Sequence, residues 1–144
     1  MSVSDAIGQQ HFFLRCNTDH HGVAVFTSDS AKMHHHAWQA GNIMDLARLG
    51  DRLARKGARL AWGPVRHGAG DNIAVYYVEP NGVVTEYYCD METIRDPERP
   101  IRHFDPEDLY WINQWDGQVP PGSSVRFSVR CADTEDALSR ETFA

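Results

Sequence analysis

Over most of the first 90 residues, apolar side chains alternate with polar ones or gather in blocks of strand length. His11-Phe12-Phe13-Leu14-Arg15-Cys16 is rich in aromatic and aliphatic residues and predicts a strand. Asn17-Thr18-Asp19 is turn chemistry, because short polar side chains bond their own backbone there. His20-His21-Gly22-Val23-Ala24-Val25-Phe26 then predicts the returning strand of a hairpin, and residues 32–39 a further strand. At Gly41-Asn42 the period changes. Asn42 suits a helix N-cap, with Asp45 in the first turn. Ile43, Leu46, Ala47, Gly50, Leu53 and Ala54 recur at helical spacing, while Asp45, Arg48, Asp51, Arg52 and Arg55 fill most of the opposite face. Gly57 stands where a left-handed residue closes a helix. Beyond it come Arg59-Leu60-Ala61-Trp62, a glycine-rich loop over residues 63–70 and a strand over residues 73–78. A tight turn at Glu79-Pro80-Asn81-Gly82 leads into a returning strand over residues 83–89. Residues 1–10 are polar and read as a loose or helical lead-in.

These elements define an α+β fold. Residues 31–90 run strand, helix, strand, strand, strand, a single βαβββ module whose mixed sheet is cupped and open on one side. Such a sheet cannot enclose a site alone and needs a second copy. At 144 residues the chain is one domain, large enough for one core. The tail over residues 91–121 is rich in prolines and charges, with Tyr110-Trp111-Ile112 and Trp115 as aromatic anchors able to pin it across the sheet. From residue 122 onward the composition predicts a mobile end with a short helix near residues 134–139.

Composition removes several classes of function. A formal net charge of −6 speaks against nucleic acid or an anionic membrane as partner. Hydrophobic content of 42% and charged content of 24% are ordinary for a soluble globular chain. Cys16, Cys89 and Cys131 are odd in number, far apart and in no metal-ligand spacing, which points to a reduced intracellular chain. The first residues lack the basic and apolar regions of a signal peptide, and no apolar run is long enough to span a membrane. The expected location is cytoplasmic.

Two places carry candidate chemistry. His34, His35 and His36 are three imidazoles in an apolar run, and strand alternation sends neighbours to opposite faces. One face then carries His34, His36 and Trp38, and the other Met33, His35 and Ala37. Aimed into a cavity, His35 offers a neutral nitrogen suited to a divalent metal; otherwise the run is a polar edge strand facing water. The second place is Glu86, within Val83-Val84-Thr85-Glu86-Tyr87-Tyr88. A carboxylate in that setting is solvated, paired or bound to a cation. In a cupped mixed sheet the first and last strands of the module lie side by side, so His35 and Glu86 can meet across the pair.

An ordered set of segments carries a resemblance. Phe13-Leu14-Arg15-Cys16-Asn17-Thr18-Asp19-His20-His21 is followed by Met33-His34-His35-His36-Ala37-Trp38. Then come Trp62-Gly63-Pro64-Val65-Arg66-His67-Gly68-Ala69-Gly70, Tyr76-Tyr77-Val78-Glu79-Pro80-Asn81-Gly82 and Glu86-Tyr87-Tyr88. Over residues 12–90 the chain resembles the vicinal oxygen chelate superfamily, the glyoxalase/bleomycin-resistance fold. Within it the chain is similar to the type I extradiol ring-cleavage dioxygenases of aromatic catabolism. The resemblance implies an Fe(II) centre, with Mn(II) suited to the same ligands, and a catechol-type aromatic and O2 as reactants. His35 would be the second histidine of the metal triad and Glu86 its carboxylate. His21 would be the pocket acid–base catalyst, and His67 and Tyr76 would hydrogen-bond the bound substrate.

The resemblance also implies a first histidine ligand on the opening strand of a preceding half-unit. That strand has no counterpart in the 144 residues, so the hairpin over residues 11–30 is expected to be what is left of a partial first module. His11 and His20 are nearby histidines without a family counterpart. A homodimer, or a heteromer supplying the missing half-module, would complete the site. Two further readings stay open. One is a small-molecule binding protein of the same fold, and the other a metal-dependent dimer with a two-histidine, two-glutamate site.

Overall fold

The hairpin over residues 73–89 is the centre of the architecture, and the strands on either side of it complete the sheet that carries the site. In a computed structural model, residues 1–29, 31–117 and 119 are described. In chain order the strands are β1 (Ser2–Ile7), β2 (His11–Arg15), β3 (Val23–Phe26), β4 (His36–Gln39), β5 (Trp62–Arg66), β6 (Ile73–Val78), β7 (Val84–Cys89) and β8 (Arg102–Phe104). The single helix, α1, spans Ile43–Arg55. The fold is α+β, with two four-stranded sheets ordered β3-β2-β1-β8 and β4-β7-β6-β5. Each sheet is mixed: β4 runs parallel to β7, β1 runs parallel to β8, and the other neighbours are antiparallel. Neither sheet closes on itself, and both are cupped.

The second sheet is the βαβββ module, β4-α1-β5-β6-β7. Alternation along β6 and β7 sorts its side chains. Ile73, Val75, Tyr87 and Cys89 turn to one face, where Leu46, Leu49 and Leu60 pack on them. Ala74, Tyr76, Val84 and Tyr88 turn to the other, with Val65 and Trp62. The helix begins as its sequence predicts, the Asn42 side chain accepting from the Met44 amide at 2.9 Å. It ends where Gly57 adopts φ +72°, a backbone shape that costs glycine no side-chain clash. The strand expected over residues 32–39 is shorter, beginning at His36. Part of the loop expected over residues 63–70 is instead strand β5.

The first sheet differs most from the sequence reading. Residues 2–7, expected as a loose or helical lead-in, form β1 between β2 and β8. The expected hairpin is thus three strands, β1-β2-β3, with β8 added from the tail. Ser4 and Asp5 are wholly buried in β1. Residues distant in sequence satisfy them: Arg15 donates to Ser4 Oγ at 3.1 Å, and Arg99 and Arg102 reach Asp5.

The tail then folds back as anticipated, with part of the anticipated set. Trp111 is buried against Ile7, Phe13 and Ala69, and Ile112 packs on the same cluster. Gly68 and Ala69 both donate to the Trp111 carbonyl. Tyr110 and Trp115 are about half exposed and do not anchor it. The mobile end and short helix expected beyond residue 122 lie outside the described residues. No helix among the described residues is long and apolar enough to cross a membrane.

Candidate functional site

Strand register builds the site. Tyr76 on β6 is paired directly with Glu86 on β7 and, on its other side, with Trp62 on β5. The three side chains therefore lie in a row on one face of the sheet, the Trp62 and Tyr76 rings stacked at 5.1 Å. Because β4 runs parallel to β7 with Ala37 opposite Glu86, the residue just before the strand, His35, enters on that same face. Its Nε2 lies 3.0 Å from Glu86 Oε2, and its ring meets Tyr76 edge-on at 5.6 Å. His36 turns the other way, to Thr85 Oγ1 at 3.0 Å and Glu79 at 3.4 Å. His35 alone of the triplet reaches Glu86; His36 turns away as alternation predicts, whereas His34, which precedes the strand, sets its ring against His35 at 4.7 Å instead of taking the opposite face.

His67 follows β5 and is fixed at both ring nitrogens. Nδ1 donates to the Ile112 carbonyl at 2.6 Å, and Nε2 lies 2.8 Å from the Tyr76 hydroxyl and 3.9 Å from Glu86 Oε1. The tail thus orients a site histidine directly. Tyr76 also stands beside Glu86, its register partner on β7. The remaining Glu86 contact is Asn72, whose side-chain amide donates to Oε1 at 3.0 Å. Nothing local in the sequence marks Asn72. It is wholly buried at the end of the glycine-rich loop, and only the fold brings it to the carboxylate.

His21 comes from the turn after β2. Its ring meets Phe13 edge-on at 4.9 Å and its Nδ1 lies 2.8 Å from Nδ1 of His20. Gly70, at φ +91°, gives the pair room, since a Cβ there would stand 3.1 Å from His20 Nδ1 and 3.2 Å from His21 Cε1. His20, one of the two nearby histidines without a family counterpart, turns its ring nitrogens to His21 and Asp5. His11 accepts from the Thr27 amide at 3.2 Å and packs on Phe26.

The electrostatics follow from burial around one carboxylate. Burial pushes Glu86 up, but the His35 hydrogen bond and the charges of His67, His35 and His21 outweigh it and hold Glu86 below the usual carboxylate range. Burial lowers His21 to about 4, reinforced by His20 and opposed by Glu86. His67 is lowered, again chiefly by burial, and Tyr76 is raised by burial and by the Glu86 charge. The site therefore holds a carboxylate beside two imidazoles, His21 and His67, whose hold on a proton burial weakens.

A divalent ion fits part of this arrangement. Ligands bound at about 2.1 Å in neighbouring positions on one ion stand about 3 Å apart. His35 Nε2 and Glu86 Oε2 are separated by 3.0 Å, with Glu86 buried and His35 partly open. Among the described residues no group of three or more histidine, cysteine, aspartate or glutamate side chains is placed to hold a metal. The chain thus presents two adjacent donors, one imidazole and one carboxylate.

Comparison with known proteins identifies the family and the fold. Residues 2–87 match the family model described as Glyoxalase/Bleomycin resistance protein/Dioxygenase superfamily. The chain is 31% identical over 104 residues to metapyrocatechase 2 of Cupriavidus necator, covering 72% of this chain and 32% of that protein. It is 26% identical over 116 residues to the manganese-dependent 2,3-dihydroxybiphenyl 1,2-dioxygenase of Geobacillus genomosp. 3, covering 72% and 37%. The chain therefore spans about a third of the length of these curated relatives. Among solved structures, the Mn(II)-bound glyoxalase from Novosphingobium aromaticivorans superposes with a TM-score of 0.73 at 32% identity, over 84% of this chain and 43% of that one. Homoprotocatechuate 2,3-dioxygenase from Arthrobacter globiformis has the same fold, with a TM-score of 0.78 at 23% identity over 83% of this chain and 39% of that one.

Proposed function

The chain belongs to the Glyoxalase/Bleomycin resistance protein/Dioxygenase superfamily, and from that premise we propose that it forms part of an extradiol ring-cleavage dioxygenase acting on a catechol-type aromatic. The observation that carries the reading is the convergence of His35, Glu86, His67 and Tyr76 on one sheet face. One curated relative is named a metapyrocatechase and another a manganese-dependent 2,3-dihydroxybiphenyl 1,2-dioxygenase.

In this reading His35 and Glu86 hold a divalent cation, Fe(II), with Mn(II) suited to the same donors. When bound, the ion supplies a common point of attachment for the catechol oxygens and O2 and a route for electrons between them. The protein residues do the rest. Asn72 keeps one oxygen of Glu86 turned from His35, so the other stays beside the imidazole. His67, locked by the Ile112 carbonyl, and the Tyr76 hydroxyl present a donor–acceptor pair to a substrate oxygen. His21, neutral because burial lowers it to about 4, accepts a proton from a substrate hydroxyl and returns one later. The Trp62 and Tyr76 rings wall the site on the β5 side.

The third ligand comes, in this proposal, from a partner that completes the first sheet. In the second sheet β7 carries β4 on its outer edge, and β4 leads in His35. The corresponding last strand of the first sheet, β3, has no such neighbour among the described residues, and its Val23 and Val25 are 41% and 49% exposed. A second copy, or another polypeptide, adds the edge strand and its ligand there.

The test is an assay under air of protein loaded anaerobically with Fe(II), together with any partner that co-purifies, against a panel of catechols. Oxygen uptake with a coloured ring-fission product, lost in His35→Ala and Glu86→Ala, supports the proposal. No oxygen uptake with any catechol contradicts it. The 32% identity to a Mn(II)-bound glyoxalase favours a second reading, metal-assisted proton transfer without O2. That reading predicts turnover of a glyoxalase-type substrate with no oxygen consumed.

A further inference from the structure

We infer that Asp5 and His20 form a buried relay that holds the His21 ring as its Nδ1–H tautomer, leaving Nε2 bare as the nitrogen that takes a proton. Both are positioning residues, and the inference rests on the role proposed above for His21. Asp5 and His20 are each wholly buried, and His20 Nε2 lies 2.8 Å from Asp5 Oδ2. That contact is an ion-pair distance and not a hydrogen bond by its geometry, and among the described residues Nε2 has no hydrogen-bond partner. On the far side of the ring, His20 Nδ1 and His21 Nδ1 are 2.8 Å apart. At that distance one of the two facing nitrogens carries the hydrogen and the other accepts it.

The surrounding charges decide which. Arg102 grips Asp5 with two bonds, Nε to Oδ1 at 3.0 Å and a terminal nitrogen to Oδ2 at 2.8 Å. Arg99 reaches Oδ1 at 3.2 Å, and both guanidiniums also contact Glu92. Two carboxylates and two guanidiniums already balance. An imidazolium at His20 would add an unpaired positive charge in a site closed to water, which is costly. The neutral form of His20 adds no charge to that balance. A bare Nε2 would set a lone pair against the carboxylate 2.8 Å away, so Nε2 carries the hydrogen and turns it toward Asp5. Nδ1 of His20 is then the acceptor, and the hydrogen between the rings belongs to His21 Nδ1. Phe13 packs on both rings, at 5.8 Å and 4.9 Å, and holds them in this relation.

The test is long-range proton–nitrogen correlation NMR on the full chain with 15N-labelled histidines, metal-free at pH 8. In the wild type His21 should show a protonated Nδ1 and a bare Nε2, with a tautomer excess of at least about tenfold, the ratio that one buried hydrogen bond sets. In Asp5→Asn the arginines claim the amide oxygen and the amide N–H turns to His20. His20 then protonates at Nδ1, and the His21 preference inverts. Should that variant not fold, His20→Ala should erase the excess, while His20→Asn, whose side-chain oxygen can stand where Nδ1 was, should keep it. A wild-type His21 protonated at Nε2 overturns the relay, and so does an excess unchanged in His20→Ala. Neither metal nor turnover enters this measurement. Its failure would leave the dioxygenase reading intact, and a correct tautomer without ring cleavage would count against that reading alone.

Discussion

His35 Nε2 and Glu86 Oε2 stand 3.0 Å apart, brought together by the parallel pairing of β4 with β7. That pairing is the step from fold to chemistry. The first and last strands of a βαβββ module are neighbours, so a residue at the entrance of one and a residue midway along the other share a face. Antiparallel pairing of β7 with β6 then adds Tyr76 opposite Glu86, and the loop after β5 adds His67.

Buried histidines and acids make stability depend on pH in two stages. The unfolded His21 binds a proton near 6.5, whereas the folded one does so only near 4. Stability is therefore full above 6.5 and falls as pH drops toward 4, by up to roughly 3 kcal/mol for this residue. His67 acts in the same direction. Asp5, held at about 2 against an ordinary 3.8, contributes roughly 2 kcal/mol above pH 4 that is lost between pH 4 and 2. Urea unfolding across pH 7.5 to 3, repeated on His21→Gln, checks this. The variant should lose much of the first stage.

Gly70→Ala should destabilise the fold by about 1–3 kcal/mol, since φ +91° disfavours any Cβ and this one would crowd His20, Asn72 and His21 at 3.1–3.2 Å. Chemical denaturation measures the loss. The same crowding should disturb the His21 nitrogen resonances even where the protein stays folded.

The parts of this arrangement that were legible in the sequence are those set by local rules. The helix from Asn42 to Gly57 follows from its period and caps, and the 73–89 hairpin from its turn. The face taken by His35 follows from strand alternation. What escaped was decided at long range. Ser4 and Asp5 made β1 look like an exposed lead-in, because the arginines that make their burial tolerable lie at positions 15, 99 and 102. Asn72 and His20 gained their contacts in the same way, from partners no local pattern reveals. β8 escaped because a three-residue strand between prolines and charges has no period to read.

Trp111→Ala should cost about 3–5 kcal/mol, because a 3% exposed indole packed on Ile7, Phe13 and Ala69 leaves a cavity when removed. It should also loosen His67, whose Nδ1 is tied to the next residue's carbonyl. A lower unfolding midpoint together with a shifted His67 nitrogen resonance is the expected pair of results.

Val25→Lys places a charge on the open edge strand β3, where Val25 is 49% exposed. If that edge receives the completing strand, sedimentation should show weaker association than wild type at equal concentration. The monomer fold should be unchanged, since the side chain is not buried in it.

The most direct test of the central claim, that His35 and Glu86 share one divalent cation, is a Mn(II) titration followed by electron paramagnetic resonance on wild type, His35→Ala and Glu86→Gln. The account predicts saturable binding by the wild type that weakens by at least about 10–100-fold in each variant. Equal affinity in all three proteins would contradict it.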